Sequence, residues 1–281
     1  MPKSYARRKV TDIVVRSACV SAALIALVPL VSVLYYVASR GIGGINLAFF
    51  SELPKPVGES GGGMANALVG TFKLVFLACL FGIPPGVLTG VYLAEFGDSR
   101  FGKWVRFSAD VMSAVPSITV GIFVYSLVVL RSKHFSAFAG GVALGVLMLP
   151  TVTRTTEELL KLVPESLREA ALGLGLPKWR ATLRVMLRTA APGIATGVML
   201  AVARVAGETA PLLFTAFSNP FWSNGLNEPT ASLPVTIYNY AVSPYEEWHR
   251  KAWAAALVLL VFVLLLNISA RFLVRSRVGA R

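Results

Sequence analysis

A chain of 281 residues that is 55% hydrophobic and only 15% charged, with a mean hydropathy of +0.67, is too apolar for a soluble domain, whose apolar share is about 45 to 50%. The net charge of +13 could suit nucleic acid, but the basic residues fall in short clusters between apolar runs with no aromatic-studded basic groove, which excludes nucleic acid as a partner and points to a lipid bilayer. Cys19 and Cys79 both lie inside apolar runs and define neither a disulfide framework nor a metal site.

A helix needs about 20 apolar residues to cross about 30 Å of hydrocarbon. Six stretches approach or meet that length: 15–38, 66–93, 108–130, 137–152, 190–217 and 252–273. Lys3, Arg7, Arg8 and Lys9 resemble the basic start of a signal peptide, but the apolar run that follows is long and lacks a small-residue cleavage site, so it reads as a retained first helix. The fold class expected is an all-α polytopic membrane protein of about six transmembrane helices. One transmembrane domain runs over 15–273, with tails at 1–14 and 274–281. Nineteen of the 27 Lys and Arg residues collect in 1–16, 100–106, 154–188 and 271–281, against six in the alternate segments. Because cytoplasmic loops retain basic residues, both termini are expected in the cytoplasm, in a multi-pass protein of the cytoplasmic (inner) membrane.

Within the second span Gly82, Gly86 and Gly90 repeat every four residues, as do Gly141 and Gly145 in the fourth and Gly193 and Gly197 in the fifth; such stripes let helix backbones approach closely. Pro84, Pro85 and Pro116 interrupt spans, which is commoner around translocation paths than in simple anchors. Lys73 and Asp110 lie near span ends and read as structural. Gly97–Lys103, GDSRFGK, is nearly a phosphate-binding P-loop, but Trp104 stands where Ser or Thr must hold magnesium and no strand precedes it, so no ATP hydrolysis is expected of this chain. Gly58–Gly62 has nucleophile-elbow spacing in a Gly-rich linker and reads as a loop. His134 and His249 stand alone, and no metal site is expected.

The most informative stretch outside the spans is the loop 153–189. Ser166 with Glu169 has capping-box spacing and Gly175 with Pro177 a stop signal, so a compact helix is expected over Leu167–Leu174. From Lys178 to Arg188 a second helix carries Arg180, Arg184 and Arg188 on one stripe and Trp179, Leu183 and Met186 on another. Taken in order, EAALGLG and LPKWRATLRVMLR resemble the EAA loop of ABC importer permeases: Glu-Ala-Ala, three residues, Gly, nine residues, then Ile-x-Leu-Pro. The match falls on Glu169, Ala170, Ala171, Gly175, Val185 and Leu187, with Val185 in place of Ile and Arg188 in place of Pro. The resemblance implies that this loop is a coupling helix that docks in a groove of an ATPase subunit. A capping box alone would carry no such implication; the combined spacing in a loop between the fourth and fifth spans does.

Arg204 and Glu208 stand four residues apart in the fifth span and are expected to share a helix face. Each charge costs about 2.5 to 3.5 kcal/mol at the bilayer centre, so both should face a polar path or each other, and a guanidinium there can meet an oxyanion bidentately while Glu208 orients it. The alternative is a self-compensated pair that only joins helices. The run ARVAGETAPLLFTAF at 203–217, with TTEE at Thr155–Glu158 and AWAAALVLL at 252–260, is similar to the PstA family of phosphate-importer permeases from about Gly62 to Arg271. That resemblance implies phosphate passage at Arg204 and Glu208. It also implies three partners: a PstC-like second permease subunit, a PstB-like ATPase dimer and a PstS-like external phosphate-binding protein. No cofactor would belong to this chain; ATP and magnesium would be held by the ATPase. Segment 218–251, with Trp222 and Asn224, is expected to face the binding protein. Rival readings are a permease for sulfate or molybdate, and a self-sufficient channel or secondary transporter, for which no internal repeat is found.

Overall fold

The computed structural model describes residues 2–59 and 61–278, with side chains described over 7–59 and 61–269. The chain is helical with no strand among the described residues. In order, α1 is Pro2–Gly41, α2 Leu47–Ser51, α3 Ala65–Phe96, α4 Arg100–Ala114 and α5 Ser117–Ser132. They are followed by α6 Ala137–Lys161, α7 Glu165–Gly173, α8 Lys178–Ala206, α9 Ala210–Thr215, α10 Leu233–Ala241 and α11 Glu246–Val278. Helices α1, α3, α6, α8 and α11 are each long and apolar enough to cross a membrane, and the bent α4–α5 pair makes a sixth span if counted as one.

The core is the pair α3 and α6, packed through the glycine stripes seen in the sequence. A Cβ added at Gly86 would lie 2.8 Å from Val152 Cβ, and one at Gly145 would lie 2.8 Å from Phe81 Cβ, so only glycine lets these backbones meet. Leu74, Leu144, Met148, Val152, Val205 and Leu212 fill the space between α3, α6, α8 and α9. Helix α1 stands apart: its apolar stretch is wholly exposed, and it touches the bundle near its end, where Tyr36 meets Trp253 of α11 edge to face at 5.1 Å. The expected tail 1–14 is not separate from the first span, because one helix runs from Pro2. Of the expected tail 274–281, helix α11 takes 274–278 and the remainder lies outside the described residues.

Three spans depart from expectation. The stretch 108–130 is not one helix: α4 and α5 meet at an angle of 105°. Pro116 has no N–H to donate and forces Val115 into extended backbone, φ −68° and ψ 130°, which ends α4. The fourth span, expected to be the shortest, is a 25-residue helix, because ion pairs carry its polar end through Lys161, and its apolar stretch is the most buried of the candidate spans through packing on α3 and α9. The fifth begins at Lys178 rather than 190, runs through a π-helical stretch at Ala181–Met186, and breaks at Gly207–Thr209 before α9 resumes. With Arg188 where the EAA pattern has proline, nothing stops the amphipathic segment from continuing into the span.

At the end of the bundle opposite the 153–189 loop, lysines fasten the connections. Lys73 of α3 donates to the carbonyls of Ser223 and Gly225 at 2.6 and 3.2 Å, and Lys251 donates to that of Gly61 at 2.6 Å. Lys73 is thus structural, as its position suggested. The expected elbow motif at 58–62 includes Ser60, which lies outside the described residues; Gly61 and Gly62 are loop backbone with positive φ.

Candidate functional site

Helix α7 carries the EAA residues, and both of its ends are set by backbone chemistry. It starts at Glu165 with Pro164 as its cap and no side-chain cap bond, so the Ser166–Glu169 capping box is not formed: proline ends the preceding turn one residue too early for Ser166 to stand outside the helix. At the other end the Gly175 N–H donates to Leu172 O at 2.9 Å and the Leu176 N–H to Ala171 O at 3.2 Å, a Schellman closure. Gly175 has φ +81°, the left-handed conformation that this motif demands. Ala171 is buried, whereas Glu169 and Ala170 face outward, so part of the Glu-Ala-Ala signature lies open on the surface and the rest goes into the loop's own packing.

Helix α7 is tied to the span ends rather than free. The Arg168 guanidinium pairs with Glu95 at the end of α3, and the Thr182 hydroxyl of α8 donates to the same carboxylate oxygen at 3.1 Å. Above this junction lies a cavity of about 670 Å³ lined by Tyr92, Glu95, Arg168, Leu172, Trp179 and Thr182. Leu174 is 84% exposed, and Leu162 and Trp179 are also exposed, giving the tip an apolar surface beside basic residues.

A second cluster escaped the sequence reading. Glu157 on α6 is 1% exposed and accepts from Arg106 of α4 at 3.0 and 2.6 Å, from Lys161 at 2.6 Å and from Arg154 at 3.3 Å. Arg154 also donates to Asp110 of α4, from Nε at 2.8 Å. One carboxylate buried among three cations fixes the angle of α4 against α6. The sequence held a partial signal: Arg154, Glu157 and Lys161 stand at i−3, i and i+4 within a helical pattern, but Arg106 is 51 residues away.

The structure brings Arg204 and Glu208 together, but not on one helix face. Arg204 stands in the last turn of α8; Glu208 lies in the break, where its N–H bonds to Val205 O at 3.2 Å. The Arg204 Nε to Glu208 Oε1 distance is 3.8 Å, too long for a hydrogen bond. Glu208 is largely buried while the Arg204 side chain is 62% exposed. Gly197 packs on Thr155 of α6, and Arg204 is about 10 Å further along α8, where α6 is purely apolar. A guanidinium at that depth keeps its paired donors available for an oxyanion, with a carboxylate nearby for balance. Among the described residues no three His, Cys, Asp or Glu side chains gather as a metal site; His249 pairs with the Ser243 carbonyl at 2.7 Å.

A bundle of long apolar helices, a compact basic loop packed on the span ends and a charged pair at membrane depth define a polytopic membrane transport subunit. Its fold is similar to that of an inward-facing MetNI methionine ABC transporter, with a TM-score of 0.59 and 20% identity over 75% of this chain and 92% of that one. An amino acid ABC transporter crystallised with histidines is similar at a TM-score of 0.56 and 19% identity, with the same coverage. Residues 86–278 match the binding-protein-dependent transport system inner membrane component family, and the chain belongs to that family. It is 50% identical over 243 residues to the phosphate transport system permease protein PstA of Yersinia pestis, covering 86% of this chain and 82% of that protein. The PstA of Xylella fastidiosa is 45% identical over 277 residues, covering 98% and 96%. PstA 1 of Mycobacterium tuberculosis is 37% identical over 272 residues, covering 94% and 88%. The resemblance read from the EAA loop and the 203–217 run is borne out.

Proposed function

We propose that this chain is the permease subunit of an ATP-driven importer that carries inorganic phosphate across the cytoplasmic membrane. The observation that carries the reading is its similarity, over nearly the whole chain, to permeases named for phosphate transport. Arg204 supplies the chemistry: an exposed guanidinium at membrane depth, beside a helix break that frees backbone around it, suits passage of a phosphate oxyanion.

The basic loop end is assigned to the cytoplasm, together with both termini. There Glu169, Ala170 and the exposed tip of α7 dock on a PstB-like ATPase dimer, which holds ATP and magnesium, while this chain binds no cofactor. A PstC-like subunit completes the permease and covers the Arg204 face. A PstS-like protein delivers phosphate at the opposite end, where segment 218–251 lies. Movement of the docked α7 passes to α3 through Arg168 and Glu95 and to α8 directly. Since α8 runs unbroken from Lys178 to Ala206, displacement at the loop is carried along one helix toward Arg204, about 39 Å away. Alternating access then requires that ATP binding favour one orientation of the bundle over the other.

The test is uptake of radiolabelled phosphate into proteoliposomes that hold this chain with the other three components. Uptake that needs all of them and ATP, and that excess sulfate leaves unchanged, is expected; uptake by this chain alone without ATP would sink the importer reading.

A further inference from the structure

The 105° bend at Pro116 gives α4 a place unlike that of any span. Along its length α4 meets its neighbours at one level: Phe101 stacks edge to face on Tyr92 of α3 at 5.8 Å, Arg106 reaches Glu157, and Asp110 reaches Arg154. Gly90 of α3 is itself level with Thr153 and Thr156 of α6. A helix of 15 residues, about 22 Å long, therefore crosses α6 within about one turn instead of running along it. That turn is where α6 changes from Leu147, Met148 and Leu149 to Arg154, Glu157 and Glu158, the polar boundary of the span. So α4 lies in the plane of the membrane surface, at the end of the bundle that holds the EAA loop.

Its two sides differ. Gly102 and Ala109 are buried against the bundle, and Arg106 and Asp110 are taken by α6. The opposite side exposes Trp104 (68%) and Phe107 (58%), flanked by Phe101, which stays 66% exposed although its ring edge meets Tyr92; this aromatic ridge lies beside Arg100 and Lys103, neither of which has a carboxylate partner among the described residues. Aromatic rings with adjacent cations on an in-plane helix fit the headgroup and acyl boundary of a bilayer whose lipids are anionic.

We propose that α4 is an interfacial helix that binds the anionic phospholipid surface of the leaflet at the loop end. Phe101, Trp104 and Phe107 enter the acyl boundary, and Arg100 and Lys103 take phosphodiester headgroups. The proposal depends on the chain being a membrane protein and not on which solute it carries.

The experiment places a nitroxide at Trp104→Cys, with Cys19 and Cys79 replaced by alanine, in the assembled transporter in phosphatidylcholine nanodiscs with and without phosphatidylglycerol. Oxygen is expected to relax the label more than a water-soluble nickel chelate. A label shielded from both would mean that protein, such as a second permease subunit, covers the ridge; one open to nickel would mean an aqueous face. Either result overturns the proposal. Should Trp104→Cys not assemble, Phe107→Cys reports the same ridge. For the headgroups, native mass spectrometry should show phosphatidylglycerol preferred over phosphatidylcholine, the preference falling about fivefold for each charge lost in Arg100→Gln and Lys103→Gln. An unchanged preference removes the headgroup assignment.

Discussion

Glu157, sealed on α6, accepts two hydrogen bonds from the Arg106 guanidinium of α4, at 3.0 and 2.6 Å, across 51 residues of sequence. Because the carboxylate is buried among cations, removing it leaves Arg106 without its carboxylate partner and Arg154 with Asp110 alone. Glu157→Ala should cost about 3 kcal/mol. Lys161, half exposed at the rim, is cheaper to lose: Lys161→Ala should change stability by about 0.5 kcal/mol. Thermal unfolding of the purified complex checks both, and equal losses would mean that the network shares its load evenly.

Gly175 is a backbone position. A Cβ there would meet nothing within 4 Å, yet φ is +81°, so Gly175→Ala should cost about 1 kcal/mol through strain alone. Gly175→Asn, which tolerates that conformation better, should retain more ATPase on the purified permease than Gly175→Ala. The reverse order would locate the role of Gly175 in contact with the ATPase instead.

A Cβ at Gly90 would stand 2.5 Å from Thr156 Cβ and 2.7 Å from Thr153 O, inside the α3–α6 seam. Gly90→Leu should prevent assembly, read as loss of monodisperse complex on size exclusion, while Gly43→Ala, in open space, should assemble normally.

The Arg168–Glu95 pair joins α7 to α3. Arg168→Ala should leave ATP hydrolysis in the reconstituted complex while uptake falls about tenfold, the equivalent of about 1.4 kcal/mol of coupling. Parallel loss of both would indicate that the ATPase no longer docks.

What was legible in the sequence follows from range. Glycine stripes, apolar lengths and the EAA spacing are local patterns, and the structure reproduces the α3–α6 seam and the Gly175 stop from them. The bend at Pro116 was visible as a proline but not as an angle, because apolar composition on both sides gave no sign that α4 turns aside. Ser166 and Glu169 had the right spacing for a capping box, yet Pro164 set the helix start. Arg204 and Glu208 were paired correctly by spacing, but Gly207 ends the helix between them, so their contact depends on loop backbone. The Glu157 cluster needs Arg106, and no local pattern connects residues so far apart.

The most direct measurement is ATP-dependent phosphate uptake by the reconstituted complex carrying Arg204→Ala or Arg204→Lys, with ATP hydrolysis and assembly monitored in parallel. Alanine should lower uptake about a hundredfold with assembly intact. Lysine, which keeps the charge but not the planar pair of donors, should fall between alanine and the native chain. Uptake unchanged in Arg204→Ala at equal complex levels would contradict the role given to this arginine in moving phosphate.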